Sequence, residues 1–450
     1  MIQARLEAIV EEVRLQTGVP GLALCLERDG ERWFAASGTA RAGTDIPVAR
    51  KARFDVSCLM KFLLSATALK LAARGEIDLQ ADAASILPEL GAPRGIRLIH
   101  LMSHASGYHG VDITDMTVRW GSKWETFAAR FRDAPQLFAP GSTFNYEHSE
   151  HVILGEALRR VLGSGPSELV HENLLTPLGL ELQDATAGET AVSPHAFSAQ
   201  RGAYLPTRLP PFGPFWEASL PALTISLDEV VSAAQAAFAD GPIATALRKP
   251  LVSLPQMARS ESRAEKPPRQ FSAACGLYDD GLAGHNGSMF GQTVGFRIDP
   301  RSGAVVAAGV NAYSAHARDT ALRRALDLLE NKEPHSTEQP LWYARDEIFG
   351  GLSPEACEAR YVGSYLGEVT VAREGADLRV AVGPDGNRQS AFKIVSQDGR
   401  YAIRSRMPVA LRFQPAPDAS ASLFLGVHAY KSAARKTRTG MIVAETVDGI

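Results

Sequence analysis

Phe54-Asp55-Val56-Ser57-Cys58-Leu59-Met60-Lys61-Phe62-Leu63-Leu64-Ser65-Ala66-Thr67 is the stretch around which the chain is organised. Phe54 to Val56 reads as a short extended run, and the apolar residues after it take helical spacing to about Ala73. Cys58 and Lys61 are three residues apart, so at the start of a helix they share one face, about one turn apart. A free thiol titrates near about 8.5, and both the positive helix N-terminus and a neighbouring ammonium lower that value. The pattern predicts an activated nucleophile with its own proton acceptor.

Moving outward, the helix is followed by Leu71 to Leu79 in the pattern Leu-x-x-x-Gly-x-Ile-x-Leu, then Asp82, Ser85 and Leu87-Pro88-Glu89-Leu90. Phe-x-x-x-nucleophile-x-x-Lys opening such a segment resembles the S-x-x-K signature of the serine β-lactamase and penicillin-binding-protein superfamily. The branch it resembles is the class C β-lactamase-like group, with its esterases, D-aminopeptidases and transesterases. Aligned on Phe54 and Lys61, the nucleophile position holds Cys58 rather than serine, and Ser57 fills the small-residue slot before it.

Three further stretches carry the same resemblance. Met102-Ser103-His104-Ala105-Ser106-Gly107 is similar to the LLSHxSG segment that supports the site from behind, which makes His104 a structural residue. Pro140-Gly141-Ser142-Thr143-Phe144-Asn145-Tyr146-Glu147-His148-Ser149 resembles PG-x-x-F-x-Y-S-N; Tyr146 matches the tyrosine, and His148 stands where the asparagine would be. Gly284-His285-Asn286-Gly287-Ser288 occupies the place of the K-T-G or H-x-G that lines the sheet edge beside the nucleophile. Leu174 to Leu180, with Pro177 and Gly179, matches the continuation of the family pattern and fixes the register.

The resemblance implies roles. Cys58, Lys61 and Tyr146 are the catalytic residues, with Lys61 and Tyr146 sharing protons with the nucleophile. His148, His285, Asn286, Gly287 and Ser288 line the substrate, and backbone N–H groups of Cys58 and of the strand near Ser288 form the oxyanion hole. An acyl-cysteine is a thioester and keeps more acyl-transfer potential than an ester. The expected activity is therefore acyl transfer or acyl hydrolysis on an ester, thioester or amide of a small molecule or peptide, a carrier-bound thioester included. An ordinary esterase or D-amino-acid peptidase, or a catalytically silent binding member, is the alternative.

The implied architecture is α+β: an antiparallel sheet flanked by helices, with an all-helical subdomain over about 65–220, within a catalytic domain of 1–330. The polar stretch 331–345, with Pro334 and Pro340, reads as a linker. Beyond it, Tyr361-Val362-Gly363-Ser364-Tyr365 starts a series of short alternating strands, so 346–450 reads as a small β-barrel, similar to the lipocalin-like domain of several relatives. The aromatic segment 108–140 reads either as a substrate rim or as a helix packed on the surface by its aromatics, and 194–222, rich in proline and aromatics, reads as a pocket wall or lid at that rim.

Composition excludes several other classes. A net charge of −3 over 450 residues gives no reason to expect nucleic acid or an anionic membrane as partner. His100/His104 and His148/His151 have helical spacing without H-E-x-x-H, so no metal is expected, and no cofactor motif is present. Cys25, Cys58, Cys275 and Cys357 lie far apart with no C-x-x-C, which suggests neither zinc nor a disulfide framework. Met1 to Leu15 reads as an amphipathic helix and not as a secretory signal, so a cytoplasmic, reducing setting is expected.

Overall fold

The computed structural model describes residues 2–432, apart from 93, 109–122, 186–190, 199–200, 208–215, 240, 255–257, 260–267, 290, 331–347, 350–351, 359, 364–366, 383–391, 398–399, 405–409, 416–420 and 426–427. The expected linker and part of each expected rim segment fall outside the described residues.

The first sheet gathers both ends of the stretch 2–329. Helix α1 (Ile2–Thr17) leads into the hairpin β1 (Gly21–Arg28) and β2 (Glu31–Gly38), which turns at Asp29-Gly30. Much later come β8 (Val252–Ser253), β10 (Gln270–Phe271), β11 (Gly276–Leu277), β12 (Ala283–Met289), β13 (Gln292–Ile298) and β14 (Val305–Val310). These form one antiparallel sheet in the order β2-β1-β14-β13-β12-β11-β10-β8, so the N-terminal hairpin docks on the last strand. Strands β1 and β14 are apolar over most of their length and β13 is buried at every position, because both faces of the sheet are covered. One face packs against α1 and the closing helix α10 (Ala315–Leu329), burying Leu6, Val10, Leu24, Val306 and Leu322.

The other face carries α2 (Leu59–Ala73) and α8 (Leu227–Ala239). Of the 15 residues of α2, 12 are buried, the pattern of a helix enclosed on all sides rather than lying on a surface. Ser226 and Glu229 cap each other at the start of α8: the Ser226 N–H donates to Glu229 Oε2 at 2.7 Å and the Glu229 N–H donates to Ser226 Oγ at 3.3 Å. A short sheet, β3 (Arg53–Asp55) with β7 (Leu223–Ser226) and β4 (Gln183–Asp184), leads into α2.

Between α2 and β7 lies the mostly helical part: α3 (Ala83–Ile86), α4 (Leu98–Met102), α5 (Trp124–Asp133), α6 (His148–Leu162) and α7 (Pro166–Val170). A hairpin of β5 (His195–Ser198) and β6 (Ala203–Pro206) interrupts it, and α9 (Gly241–Arg248) follows α8.

The C-terminal strands are β15 (Arg360–Gly363), β16 (Gly367–Glu374), β17 (Asp377–Val382), β18 (Phe392–Gln397), β19 (Arg400–Arg404), β20 (Ala410–Pro415), β21 (Ala421–Leu425) and β22 (His428–Ser432). They make a second antiparallel sheet around a core of Phe349, Tyr361, Val380, Leu411 and Phe413. Its ninth strand comes from elsewhere in the chain. Strand β9 (Ala258–Arg259), in the loop between β8 and β10, pairs with β20 through Arg259↔Ala410 and Ala258↔Leu411. That strand also approaches β19 at the opposite end of the sheet to within 8 Å between Cα atoms, so the sheet curls round on itself.

Candidate active site

The connection from β3 to α2 is held from several sides. Phe54 is fully buried over Gly309 of β14, where any Cβ would lie 2.7–2.8 Å from three atoms of its ring. That close approach fixes the entry to the turn. The Asp55 N–H donates to Gln292 Oε1 at 2.9 Å, and the Val56 N–H donates to Leu223 O at 2.9 Å. Ser57 then takes φ +48°, a left-handed conformation that costs a non-glycine residue on the order of 1–3 kcal/mol and collects at functional sites. The Asp55 carboxylate accepts the Ser57 N–H, and burial pushes its pKa up to about 8 against that hydrogen bond.

The turn delivers Cys58 to the cap position of α2, with its thiol 6% exposed and 3.9 Å from Ser57 Oγ. Lys61 lies one turn on, as the spacing predicts. Lys61 is 1% exposed, and burial holds its pKa below the usual lysine range, opposed by the Cys58 thiol and by Glu150. Burial thus shifts Lys61 toward the amine form, the form that can accept a proton. Its Nζ is 3.0 Å from His148 Nδ1 and donates to Ser219 O at 3.4 Å, while Ser219 Oγ is 3.2 Å from the same ring nitrogen.

Tyr146 sits beside this pair. Its ring lies 5.1 Å below the Lys61 nitrogen, 5.5 Å from the His148 ring and 4.2 Å from the His104 ring. His104, expected to be structural, does back the site. It has φ +54°, and its Nδ1 is 2.7 Å from Glu150 Oε2. His151 meets Ser65 Oγ at 3.2 Å. Burial and the nearby positive groups hold His104 and His151 well below the ordinary histidine range, and His285 at about 3.

The third motif lies on β12. Strand β11 pairs only Gly276 and Leu277 with Gly284 and Ala283, so from His285 onward this edge of β12 has no partner strand among the described residues. Gly287 faces the nucleophile, where an added Cβ would lie 3.2 Å from the Cys58 backbone N. By the alternation of a strand, His285 shares that face and Asn286 and Ser288 face α10. Asn286 Oδ1 accepts from Arg297 at 2.9 Å, and Ser288 Oγ accepts from Arg318 at 2.9 Å. The Asn286 and Ser288 side chains are thus engaged away from Cys58, which leaves their backbone as what they can present beside it.

Cys58, Lys61, Tyr146, His148, His285 and Gly287 are thus gathered at one place from α2, α6 and its approach, and β12. Sequence reasoning did not single out Ser219, Glu150, Asp55 or Gln292, whose partners are remote in the chain or in the backbone of the turn. The one available signal was Glu150, a charged residue between two histidines at the start of a helix. Among the described residues, no group of three His, Cys, Asp or Glu side chains is arranged to hold a metal, and no single helix is long and apolar enough to cross a membrane.

A family model described as Beta-lactamase matches residues 2–329. The chain belongs to the beta-lactamase family. Penicillin-binding protein 4 of Amycolatopsis lactamdurans is 28% identical over 336 residues, covering 70% of this chain and 87% of that protein. Esterase EstB of Burkholderia gladioli is 26% identical over 204 residues; the chain spans 50% of its length, and the match covers 40% of this chain. A D-aminopeptidase of Gluconobacter oxydans is 25% identical over 51% of this chain and 44% of its own length. Among solved structures, that of SurE superposes with a TM-score of 0.73 at 22% identity, over 96% of this chain and 99% of its own. A class C beta lactamase superposes with a TM-score of 0.58 at 14% identity, over 72% of this chain and 97% of its own. The beta-lactamase family thus includes this arrangement of sheet and helices together with penicillin-binding, esterase and D-aminopeptidase members.

Proposed function

We propose that this beta-lactamase-family protein is an acyltransferase or acyl hydrolase that works through a covalent acyl group on Cys58. The observation that carries the reading is the buried Lys61 amine, one helical turn from a thiol at a helix cap and hydrogen-bonded to His148. Desolvation leaves that amine ready to take the thiol proton. The sulfur then attacks the acyl carbonyl and forms the C–S bond. The carbonyl oxygen becomes an oxyanion facing the Cys58 N–H and the open edge of β12. Lys61 returns the proton to the departing alcohol, thiol or amine through Tyr146 or His148, and the acyl–heteroatom bond breaks. An acceptor deprotonated by Lys61 and His148 attacks the resulting thioester, which regenerates the thiol.

The thioester favours amine or thiol acceptors relative to water. The substrate class is an ester, thioester or amide of a small molecule or peptide, including a carrier-bound thioester. D-aminoacyl compounds are supported by the D-aminopeptidase relative and by the structure of SurE solved with D-Leu. The relatives equally support a plain esterase or peptidase reading of the same residues. Cys58→Ser separates the two. With a thioester donor and an amine acceptor, the Ser protein is expected to fold and to lose transfer relative to hydrolysis. An unchanged ratio of amide to acid product contradicts a special role for the sulfur.

A further inference from the structure

A carboxyl group that no step above uses lies behind the Lys61 amine. Glu150, two residues after His148 on α6, is 0% exposed. Its Oε1 accepts the Ser106 N–H at 3.1 Å, and its Oε2 is 2.7 Å from His104 Nδ1. Among the described residues it forms no ion pair with an Arg or Lys side chain. A buried carboxylate without a close cation is expensive, and such a group neutralises instead.

The ring nitrogen shows where the hydrogen is. His104 Nδ1 also receives the backbone N–H of Glu147 at 3.3 Å. A ring nitrogen that accepts from an N–H does not carry a hydrogen of its own. The hydrogen in the 2.7 Å contact is then assigned to the carboxyl oxygen, and the imidazole hydrogen to Nε2, which is buried and has no hydrogen-bond partner among the described residues. The titratable groups around Glu150 agree with this. His104 follows α4, Tyr146 and Glu147 precede α6, and His148 and His151 share that helix. His285 comes from β12 and Lys61 from α2. His104, His151 and His285 are held neutral by burial, which also drives Glu150 well above the carboxylate range.

We propose that Glu150 is a neutral carboxylic acid at neutral pH that donates its proton to His104 Nδ1, and that its neutrality leaves Lys61 uncharged and able to act as base. A carboxylate in that place would favour the ammonium form of Lys61 and remove the base. Glu150 is thus a positioning residue. It acts through Lys61 and, by fixing the His104 ring against Tyr146, through the phenol; its kinetic role rests on the reading of Lys61 as the base.

Infrared spectroscopy of the full-length protein with carbonyl-13C glutamate reads the proton directly, and the isotope separates Glu150 from the buried Asp55. The expected result at pH 7 is a protonated glutamic acid carbonyl band that survives Glu147→Gln and is lost in Glu150→Gln. A folded wild-type protein without that band, or a band that persists in Glu150→Gln, overturns the proposal. Should Glu150→Gln not fold, the wild-type and Glu147→Gln spectra still decide it: a band lost in Glu147→Gln overturns it, and a retained band supports it. The kinetic readout is Cys58 acylation against pH. The wild type should slow at alkaline pH as Glu150 ionises, and Glu150→Gln should lack that decline; an identical alkaline limb overturns the link to Lys61. Full acylation by Lys61→Ala would refute the reading of the reaction while leaving the band in place, so the two failures are distinguishable.

Discussion

Gly287 and Cys58 meet where an added Cβ fits only if its neighbours give by a few tenths of an ångström. A Cβ at 287 would lie 3.2 Å from the Cys58 N, 3.2 Å from Ser57 Cβ and 3.1 Å from Val294 Cγ1. Relief of that crowding has to move the edge of β12 away from the N–H groups that face the developing oxyanion. Gly287→Ala is therefore expected to slow Cys58 acylation by about a hundredfold, the scale of losing one oxyanion donor, while the protein stays folded. Rapid-mixing acylation kinetics checks this, and an unchanged rate removes β12 from the oxyanion site. At this scale the motifs made Cys58, Lys61, Tyr146 and His148 legible, because spacing along a helix or through a local pattern places them. The charge state of Lys61 was not legible. It depends on burial by residues from α6 and the segment ending at Ser219, and spacing in α2 carries no information about them. The alternate faces of Asn286 and Ser288 follow from strand periodicity once β12 is known to run through the motif.

At the scale of elements, long segments with a strong period were readable. The α2 helix falls where apolar spacing puts it. The stretch from 254 to 269 was not. The Leu254 N–H donates to Arg269 O at 2.7 Å at its base, and β9 joins the C-terminal sheet. A two-residue strand has no periodicity, and its partner β20 lies about 150 residues further along the chain. The consequence is mechanical. The arm starts and ends on β8 and β10, and Phe271 of β10 packs 5.5 Å from the His104 ring. Successive N–H groups of a strand point to opposite edges, so prolines at both 258 and 259 remove whichever one reaches β20. Ala258→Pro with Arg259→Pro is expected to lower the unfolding temperature of the C-terminal sheet by about 5 °C and to separate it from that of the catalytic region. Calorimetry reads both; an unchanged single transition would show that β9 couples nothing.

For the molecule as a whole, a nucleophile on sulfur has to be told apart from three other thiols. Cys25, Cys275 and Cys357 are all 0% exposed. Burial, with Asp228 adding to it at Cys25, pushes the Cys25 and Cys275 thiols up to about 12. Of the four cysteines, Cys58 is the one at the cap of α2 with the Lys61 amine one helical turn away. The family fold was legible because its motifs are spread in order across 2–329 and need few long-range facts. The chemistry rests on contacts between α2, α6 and β12 that no single stretch reveals. The measurement that tests it most directly is mass-spectrometric mapping of the adduct left by a small acyl thioester on the native protein. The account predicts one acyl group on Cys58, absent from Lys61→Ala; an adduct spread over Cys25, Cys275 or Cys357, or full acylation of Lys61→Ala, would contradict it.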